Sequence, residues 1–277
     1  SMQKKILLST DFSDNAWNSI IYGLKLFSSE TCKFYILHAI QIKSPTMSSF
    51  SNRFSKTVRE TAMNDLLDLK QMIERVNANA NHSFEIILST QKLKTAIESA
   101  VKKHQIEMVV MGTKGAIGAK QVFFGSNTVS VISKMRLCPI LTVPDNFEFV
   151  APKQIVFPTD FNRFFDEKEL KPLIDIANLY NSKISILHIN NEEYLNELQK
   201  YNSKILKSYL KEYEHTLYLI PHFTKKTQEV NNFIKDLKIN LLVLVNYKHS
   251  LMENITKEPI IKKIGFHPIV PFLVIPE

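Results

Sequence analysis

The chain has 277 residues, of which 44% are hydrophobic and 22% are charged, a composition typical of a packed globular protein. It contains no run of about 18 apolar residues that could cross a membrane, and its N-terminus lacks the charged-then-apolar pattern of a secretory signal. We therefore expect a cytoplasmic protein without a membrane partner. The two cysteines, Cys32 and Cys138, lack the spacing of a zinc site or a disulfide framework, so no metal site is expected.

The net charge of +8 lies almost entirely in the first half of the chain. Residues 1–146 carry 18 Lys and Arg against 11 Asp and Glu, a net of +7, whereas residues 147–277 carry 17 against 16, a net of +1. The lysines are scattered, without the basic runs and interleaved aromatic residues that single-strand nucleic-acid binders use. We expect no nucleic-acid partner and a modest preference for anions.

An internal repeat divides the chain into two halves. Residues 5–13 (KILLSTDFS) match residues 154–162 (QIVFPTDFN) at an offset of 149, and residues 36–38 match residues 186–188 (both ILH) at an offset of 150. A nearly constant offset indicates duplication. We therefore expect two domains, residues 1–146 and residues 147–277.

In the first half, continuous apolar runs alternate with segments whose apolar residues recur at helical spacing. Continuous runs are typical of strands buried on both faces of a parallel sheet. The predicted strands include residues 6–8, 34–40, 84–88, 108–111 and 140–143. The predicted helices carry Ala16, Ile20, Leu24 and Phe27 behind the cap Ser13, then Val58, Ala62, Leu66 and Ile73, then Leu93, Ile97 and Val101, then Val129, Ile132 and Met135.

The second half repeats this plan with strands at residues 155–157, 184–189, 217–220, 241–245 and 272–275. Its helices lie around residues 170–177 and 230–237, with a long helix between them that carries Tyr194, Tyr201, Tyr209 and Tyr213. The chain is therefore predicted to be an α/β protein of two tandem, doubly wound, five-stranded parallel-sheet domains with right-handed crossovers. In such folds the ligand crevice lies beyond the carboxyl ends of the strands.

Four of the six glycines follow the fourth predicted strand within fourteen positions: Gly112, Gly115, Gly118 and Gly125. Glycine is used where the backbone needs a positive φ or approaches a ligand closely. Gly125 and Ser126 begin a predicted helix, whose first N–H groups and positive dipole end favour an anion. This segment therefore predicts a phosphate site.

The spacing G-x-x-G-x9-G-S after a strand, with Asp11 ending the first strand, resembles the universal stress protein (UspA-like) family, specifically its ATP-binding branch. The resemblance implies the fold shared by adenine nucleotide alpha hydrolase-like (HUP-like) proteins. It also implies ATP or another adenine nucleotide as ligand, with or without Mg²⁺. Asp11 would then lie near adenine and ribose, and Ala39 would frame the base. The positions expected to hold ribose and phosphates are Gly112, Gly115, Gly125, Ser126, Asn127 and Thr128, and the candidate site further includes Met111 and Lys114.

Several of these residues, and His38, also have a purely structural interpretation. Asp11 could serve a turn, since it recurs as Asp160 in the second half. Lys114 could be a solvated loop lysine, and the glycine cluster could form a loop without a ligand. For His38, which recurs as His188, we favour a hydrogen-bonded residue at a strand end over a catalytic role.

The second half lacks the glycine signature. Residues 111–115 (MGTKG) correspond to residues 245–249 (VNYKH), and further on Lys257, Glu258 and Pro259 stand where glycine and serine would be needed. Bulky side chains there would project into the phosphate volume, and proline removes a backbone donor. We expect no triphosphate site in the second half and a structural role as partner of the first.

The sequence therefore favours a nucleotide-binding sensor or regulatory module in stress response. Hydrolysis needs an activated water and acidic groups that organise a metal, but no acidic residue stands between Gly112 and Ser126, so we predict no catalytic residue. Two alternatives stay open: a weak ATPase or a protein that phosphorylates itself at Ser126, and a scaffold that binds no ligand and acts by dimerisation.

Each half ends in an apolar strand between prolines, at residues 139–144 and residues 271–276. Because an exposed apolar strand edge invites aggregation, we expect these two strands to pair within one chain as an internal pseudo-dimer. The oligomeric state stays open, including a homo-dimer of the whole chain.

Overall fold

The computed structural model describes residues 2–42, 49–113, 125–190, 194–221, 226–247 and 269–277. The elements of the first half are β1 (Lys4–Ser9), α1 (Asp14–Leu26), β2 (Cys32–Ala39), α2 (Ser49–Val76), β3 (His82–Ser89), α3 (Leu93–His104), β4 (Met108–Gly112), α4 (Ser126–Lys134) and β5 (Ile140–Val143). Those of the second half are β6 (Gln154–Pro158), α5 (Lys171–Tyr180), β7 (Lys183–Asn190), α6 (Glu197–Tyr209), β8 (His215–Pro221), α7 (Lys226–Asp236), β9 (Leu241–Asn246) and β10 (Phe272–Pro276).

The ten strands form one sheet in the order β3-β2-β1-β4-β5-β10-β9-β6-β7-β8. The five strands of each half are parallel to one another, and both halves have the same strand order counted from the outer edge. This confirms the predicted α/β fold of two doubly wound, five-stranded sheets. In the first half the chain reverses its direction of winding between β1 and β4, where such folds open a ligand crevice.

The two halves meet at the only antiparallel pair among the described strands, β5 with β10. Thr142 lies opposite Phe272, and its hydroxyl donates to the Phe272 carbonyl at 3.3 Å. Because all strands of one half run opposite to those of the other, the carboxyl ends of the two halves lie at opposite edges of the sheet.

The sheet is buried on both faces, which explains the continuous apolar runs. Along β1, Ile6 and Leu8 face the layer that contains α1 and α2, whereas Leu7 faces the layer that contains α3 and α4. Both layers continue into the second half, where Phe157 belongs to the first and Val156 to the second. The alternation of side chains along a strand therefore distributes one apolar run between two cores.

The predicted long tyrosine-bearing helix is wrong in its extent, because α6 contains Tyr201 and Tyr209 but neither Tyr194 nor Tyr213. A capping box of Asn196 and Gln199 begins the helix at Glu197. At the other end the N–H of Leu210 donates to the Lys207 carbonyl, a tight turn that ends the helix. Tyr194 and Tyr213 lie just beyond the two ends of the helix, so the spacing of the tyrosines predicted a longer helix than the one that forms.

An aromatic cluster joins the halves on the face of the sheet that carries α1. Phe149, between the last strand of the first half and the first strand of the second, packs edge-on against Tyr22 at 5.2 Å between ring centroids and lies 6.4 Å from Tyr180. The hydroxyl of Tyr180 donates to the Leu26 carbonyl at 2.6 Å. Burial raises the pKa of Tyr180 to about 12, so this hydroxyl keeps its proton at neutral pH.

On the opposite face, α4 is tied to the end of β9. Arg136 donates through Nη1 to the Asn246 carbonyl at 2.8 Å, and Asn246 donates through Nδ2 to the Ile132 carbonyl at 3.2 Å. The halves are thus joined through the sheet and on both of its faces.

We predict that Tyr180→Phe lowers the free energy of unfolding by about 1 kcal/mol, because the Leu26 carbonyl loses its donor while the ring contacts remain. The melting temperature should fall by about 2 °C. Tyr201→Phe is the control, because Tyr201 is exposed and makes no hydrogen bond with a residue in the described ranges. Equal stability of Tyr180→Phe and wild type in thermal and urea unfolding would show that this bond does not help to join the halves.

Candidate functional site

A cavity of about 650 Å³ opens at the carboxyl ends of β1, β2 and β4, at the point where the winding of the first half reverses. Its volume lies in the range typical of small-molecule sites. Strand ends supply Ser9, Thr10, Asp11, His38, Ala39, Gln41, Met111 and Gly112. Helices supply Ala16, Lys92, Leu93, Lys94, Thr95, Asn127, Thr128, Ser130 and Lys134.

Asp11 lies in a tight turn between β1 and α1, at the mouth of this cavity. Its Oδ1 accepts from the backbone N–H of Ser13 at 3.0 Å and from the Ser13 hydroxyl. Phe12, with φ 64°, donates its N–H to Thr10 Oγ1 at 3.0 Å. The same carboxylate thus shapes the turn and lines the cavity.

His38 is held at the end of β2 by its hydrogen bond to the Thr10 carbonyl at 2.8 Å. Because a carbonyl can only accept, Nδ1 carries the proton. The second half repeats this bond between His188 and the Thr159 carbonyl at 3.0 Å, and the Asp11 turn recurs with Asp160 accepting from the Asn162 N–H at 2.9 Å. These repeated bonds support the structural interpretation of His38.

Two hydrogen bonds join the end of β4 to the start of α4, and they bring together residues that are more than ten positions apart in the sequence. The N–H of Gly125 donates to the Thr113 carbonyl at 2.7 Å, and the Thr128 hydroxyl donates to the Gly112 carbonyl at 3.0 Å. Ser126 is the first residue of α4 and Asn127 lines the cavity. The predicted site residues Lys114 and Gly115, and Gly118, lie outside the described residues.

Gly112 packs against α1, which gives this glycine a structural reason that sequence reasoning missed. A Cβ atom at this position would lie 2.0 Å from Oδ1 of Asn15 and 3.2 Å from the Asn15 carbonyl oxygen. Asn15 is itself buried. The absent side chain therefore lets α1 approach the end of β4.

Gly125 adopts φ −60° and ψ 155°, which any residue can adopt, so a positive φ is not the reason for this glycine. The other predicted reason for a glycine, the close approach of a ligand to the backbone, does not require a positive φ and stays a prediction. Gly125 is the N-cap of α4 and carries no side chain that could cap the helix. The first helical hydrogen bond is donated by Val129 to Gly125, so the N–H groups of residues 126–128 precede the helical ladder.

The start of α3 forms the facing wall of the cavity. Its N-cap, Lys92, makes no side-chain capping bond, and the first turns of α3 and α4 contain no acidic residue. Three lysines line the cavity, Lys92, Lys94 and Lys134, against one carboxylate among the described lining residues, that of Asp11. Sequence reasoning missed these lysines because they occupy ordinary helical positions. Only the basic excess of the first half pointed to them.

In the second half, bulky side chains fill the corresponding position. Tyr247, which corresponds to Thr113, donates its hydroxyl to Asp160 Oδ1 at 3.1 Å, and burial followed by the charge of Asp160 raises its pKa. The guanidinium of Arg163 lies 5.2 Å from the centre of the Tyr247 ring and pairs with Glu169 at 2.8 Å. The predicted obstructing residues Lys248, His249 and 257–259 lie outside the described residues.

The described part of the chain contains neither a membrane-spanning helix nor a cluster of metal-ligating side chains. None of its helices is long and apolar enough to cross a membrane. No group of three or more His, Cys, Asp or Glu residues in those ranges is arranged to hold a metal ion.

The fold and crevice together define a doubly wound α/β protein whose ligand cavity lies at the reversal of the winding. A sequence profile of the Universal stress protein family matches residues 2–144, more than half of the chain. The chain belongs to this family.

Individual relatives support the same assignment. Two universal stress proteins of Methanocaldococcus jannaschii are similar: one is 23% identical over 159 residues, covering 51% of this chain and 95% of the relative, and the other is 24% identical over 147 residues, covering 52% and 83%. The crystal structure of a universal stress protein from Archaeoglobus fulgidus superposes with a TM-score of 0.69 at 14% identity, covering 99% of this chain and 96% of that one. The shared fold thus extends over both halves.

We predict that Gly112→Ala lowers the free energy of unfolding by about 1 to 3 kcal/mol, because the new Cβ would displace Asn15 and with it the start of α1. Gly23→Ala is the matched control, since its Cβ would meet Leu8 and Val110 at an ordinary 3.4 Å and alanine favours the helix. Adding Asn15→Ala to Gly112→Ala should recover part of the loss in denaturant unfolding. If Gly112→Ala had the same free energy of unfolding as Gly23→Ala, the close approach of α1 to Gly112 would be disproved.

Proposed function

We propose that this chain binds one adenine nucleotide, ATP or a close relative, in the crevice of residues 1–146. In this proposal the bound nucleotide is a signal, and the protein is a cytoplasmic sensor or regulatory module in stress response. The observation that carries the proposal is the cavity, which gathers Asp11, Ala39, Met111, Gly112, Asn127 and Thr128 around one volume.

The lining suits the parts of a nucleotide. Ala39 and Met111 offer apolar surface for a base, and the Asp11 carboxylate can accept hydrogen bonds from ribose hydroxyls. The starts of α3 and α4 offer backbone N–H groups and the positive ends of two helix dipoles to phosphates. Lys92 and Lys134 add positive charge to the same cavity.

Magnesium fits this site only as a companion of the phosphates. Asp11 is the one carboxylate among the described lining residues, whereas Mg²⁺ requires six oxygen ligands in nearly octahedral geometry. Phosphate oxygens and water would have to supply most of them. The chain's own residues would contribute binding and orientation of the nucleotide.

Binding without efficient hydrolysis follows from the same donors. Backbone N–H groups hold phosphates about equally well before and during hydrolysis, so they stabilise the complex without lowering the barrier. Asp11 is placed by its turn at the end of β1, and its Oδ1 is already engaged by Ser13. It is therefore poorly suited to activate a water at the terminal phosphate.

The second half, residues 147–277, would act as a structural partner in an internal pseudo-dimer. The pairing of β5 with β10 and the contacts of Tyr180 and Arg136 support this role. Tyr247 and Arg163 occupy the region that corresponds to the nucleotide site of the first half, which supports a single site per chain.

Calorimetric titration with ATP should saturate at one equivalent per chain. Gly125→Val should abolish binding, because the backbone conformation at this position accepts valine while the added side chain occupies the space of the phosphates. Tyr247→Phe, in the second half, should bind as wild type does. Two equivalents of ATP, or unchanged affinity of Gly125→Val, would contradict the proposed site.

A thermal-shift series with ATP, ADP and AMP, run beside a phosphate-release assay, should show stabilisation with negligible turnover. At a free ligand concentration of about 100 times Kd, binding stabilises the fold by about 2.7 kcal/mol. Turnover of about 1 per second or faster would make the protein an enzyme. Transfer of labelled phosphate to wild type but not to Ser126→Ala would instead support self-phosphorylation, and absence of any shift would favour the scaffold.

A further inference from the structure

The cavity extends beyond the residues that the family motif covers, into a groove between α3 and α4. On α4, Asn127, Ser130 and Lys134 follow one another at spacings of three and four, so they form one stripe along the helix. On the opposite side Lys92 and Thr95 stand at the start of α3. The groove is therefore lined by hydroxyl groups and by a lysine on each wall.

The two lysines carry positive charge without a counterion from the described part of the chain. Lys94, their neighbour, pairs with Glu98 at 2.8 Å, whereas neither Lys92 nor Lys134 makes an ion pair with a residue in the described ranges. Positive charges that line one cavity favour the binding of an anion there. The groove is thus electrostatically suited to a ligand with several negative charges.

Lys134 is the last residue of α4, two turns beyond Asn127, and both residues line the cavity. The Cα atoms of Asn127 and Lys134 are separated by about 10 Å along the helix axis, at about 1.5 Å per residue. Side chains on a helix lean toward its N-terminus, so the long side chain of Lys134 can reach toward the first turn of α4 along the cavity that both line. It can therefore meet a phosphate beyond those held by the backbone of residues 126–128.

We propose that Lys92 and Lys134 form an anion subsite that holds the terminal phosphate of the nucleotide, so that affinity depends on the number of phosphates. A nucleoside triphosphate would be preferred over the diphosphate and the monophosphate. This inference rests on the proposed function, because it assigns a role within the same cavity. The two lysines act as specificity determinants, and neither takes part in a chemical step.

The test compares wild type with Lys92→Gln, Lys134→Gln and the double variant by calorimetric titration with AMP, ADP and ATP. Each single substitution should weaken ATP binding about tenfold, the usual effect of losing a charge-assisted hydrogen bond, and change AMP binding less than about twofold. The ATP-to-AMP affinity ratio should therefore fall, and its dependence on salt should weaken. Lys102→Gln, an exposed α3 lysine outside the cavity lining, is the control.

Equal losses for AMP and ATP, or an unchanged ratio, would overturn the subsite while leaving the proposed nucleotide function intact. If wild type bound no adenine nucleotide, the proposed function would fail. Titration with inorganic tripolyphosphate then tests the anion subsite independently of nucleotide binding. Binding of tripolyphosphate that is lost in the double variant supports an anion subsite that takes free phosphate chains, and absence of tripolyphosphate binding overturns it.

Discussion

The antiparallel pairing of β5 with β10 is the interaction on which the rest of the structure depends. Each strand is buried on both faces, and unpaired it would present open backbone donors and acceptors beside these buried side chains. Paired, the two strands merge two five-stranded sheets into one sheet of ten, with a core on each face that continues through both halves. Because the pair is antiparallel, the carboxyl edges of the halves lie on opposite sides of the sheet.

This arrangement gives α4 contacts at both edges. Its first turn lies at the crevice of the first half, where the Thr128 hydroxyl donates to the Gly112 carbonyl. The residues at its other end reach Asn246 at the carboxyl end of β9 in the second half. Asn246 is followed by Tyr247, whose hydroxyl donates to Asp160. The helix that would hold phosphates in one half is thus packed against the position where the other half has replaced a glycine by asparagine.

The two halves share one arrangement of strands and turns but differ in the side chains around the end of the fourth strand. The turn aspartate and the strand-end histidine keep the same hydrogen bonds in both halves. What differs is the residue pair after the fourth strand: Gly112 and Thr113 leave room for α1 and for a cavity, whereas Asn246 and Tyr247 supply side chains that bond to α4 and to Asp160. Small residues in one half and large ones in the other therefore distinguish the half that contains the candidate site from the half in which side chains occupy the corresponding position.

The sequence by itself determined the strands, the duplication and the class of fold, because burial on both faces of a parallel sheet leaves continuous apolar runs that can be read locally. It also indicated the strand ends at Asp11 and Gly112 around which the cavity forms. Only the tertiary structure shows why position 112 needs a glycine, because the residue it packs against, Asn15, is far away in the chain. Only the tertiary structure shows, too, that Gly125 has an ordinary negative φ. The same holds for Lys92 and Lys134, which belong to separate helices and line one cavity only after α3 and α4 pack on the same face of the sheet. Periodicity is a property of neighbouring residues, whereas a binding wall is made by side chains that packing brings together.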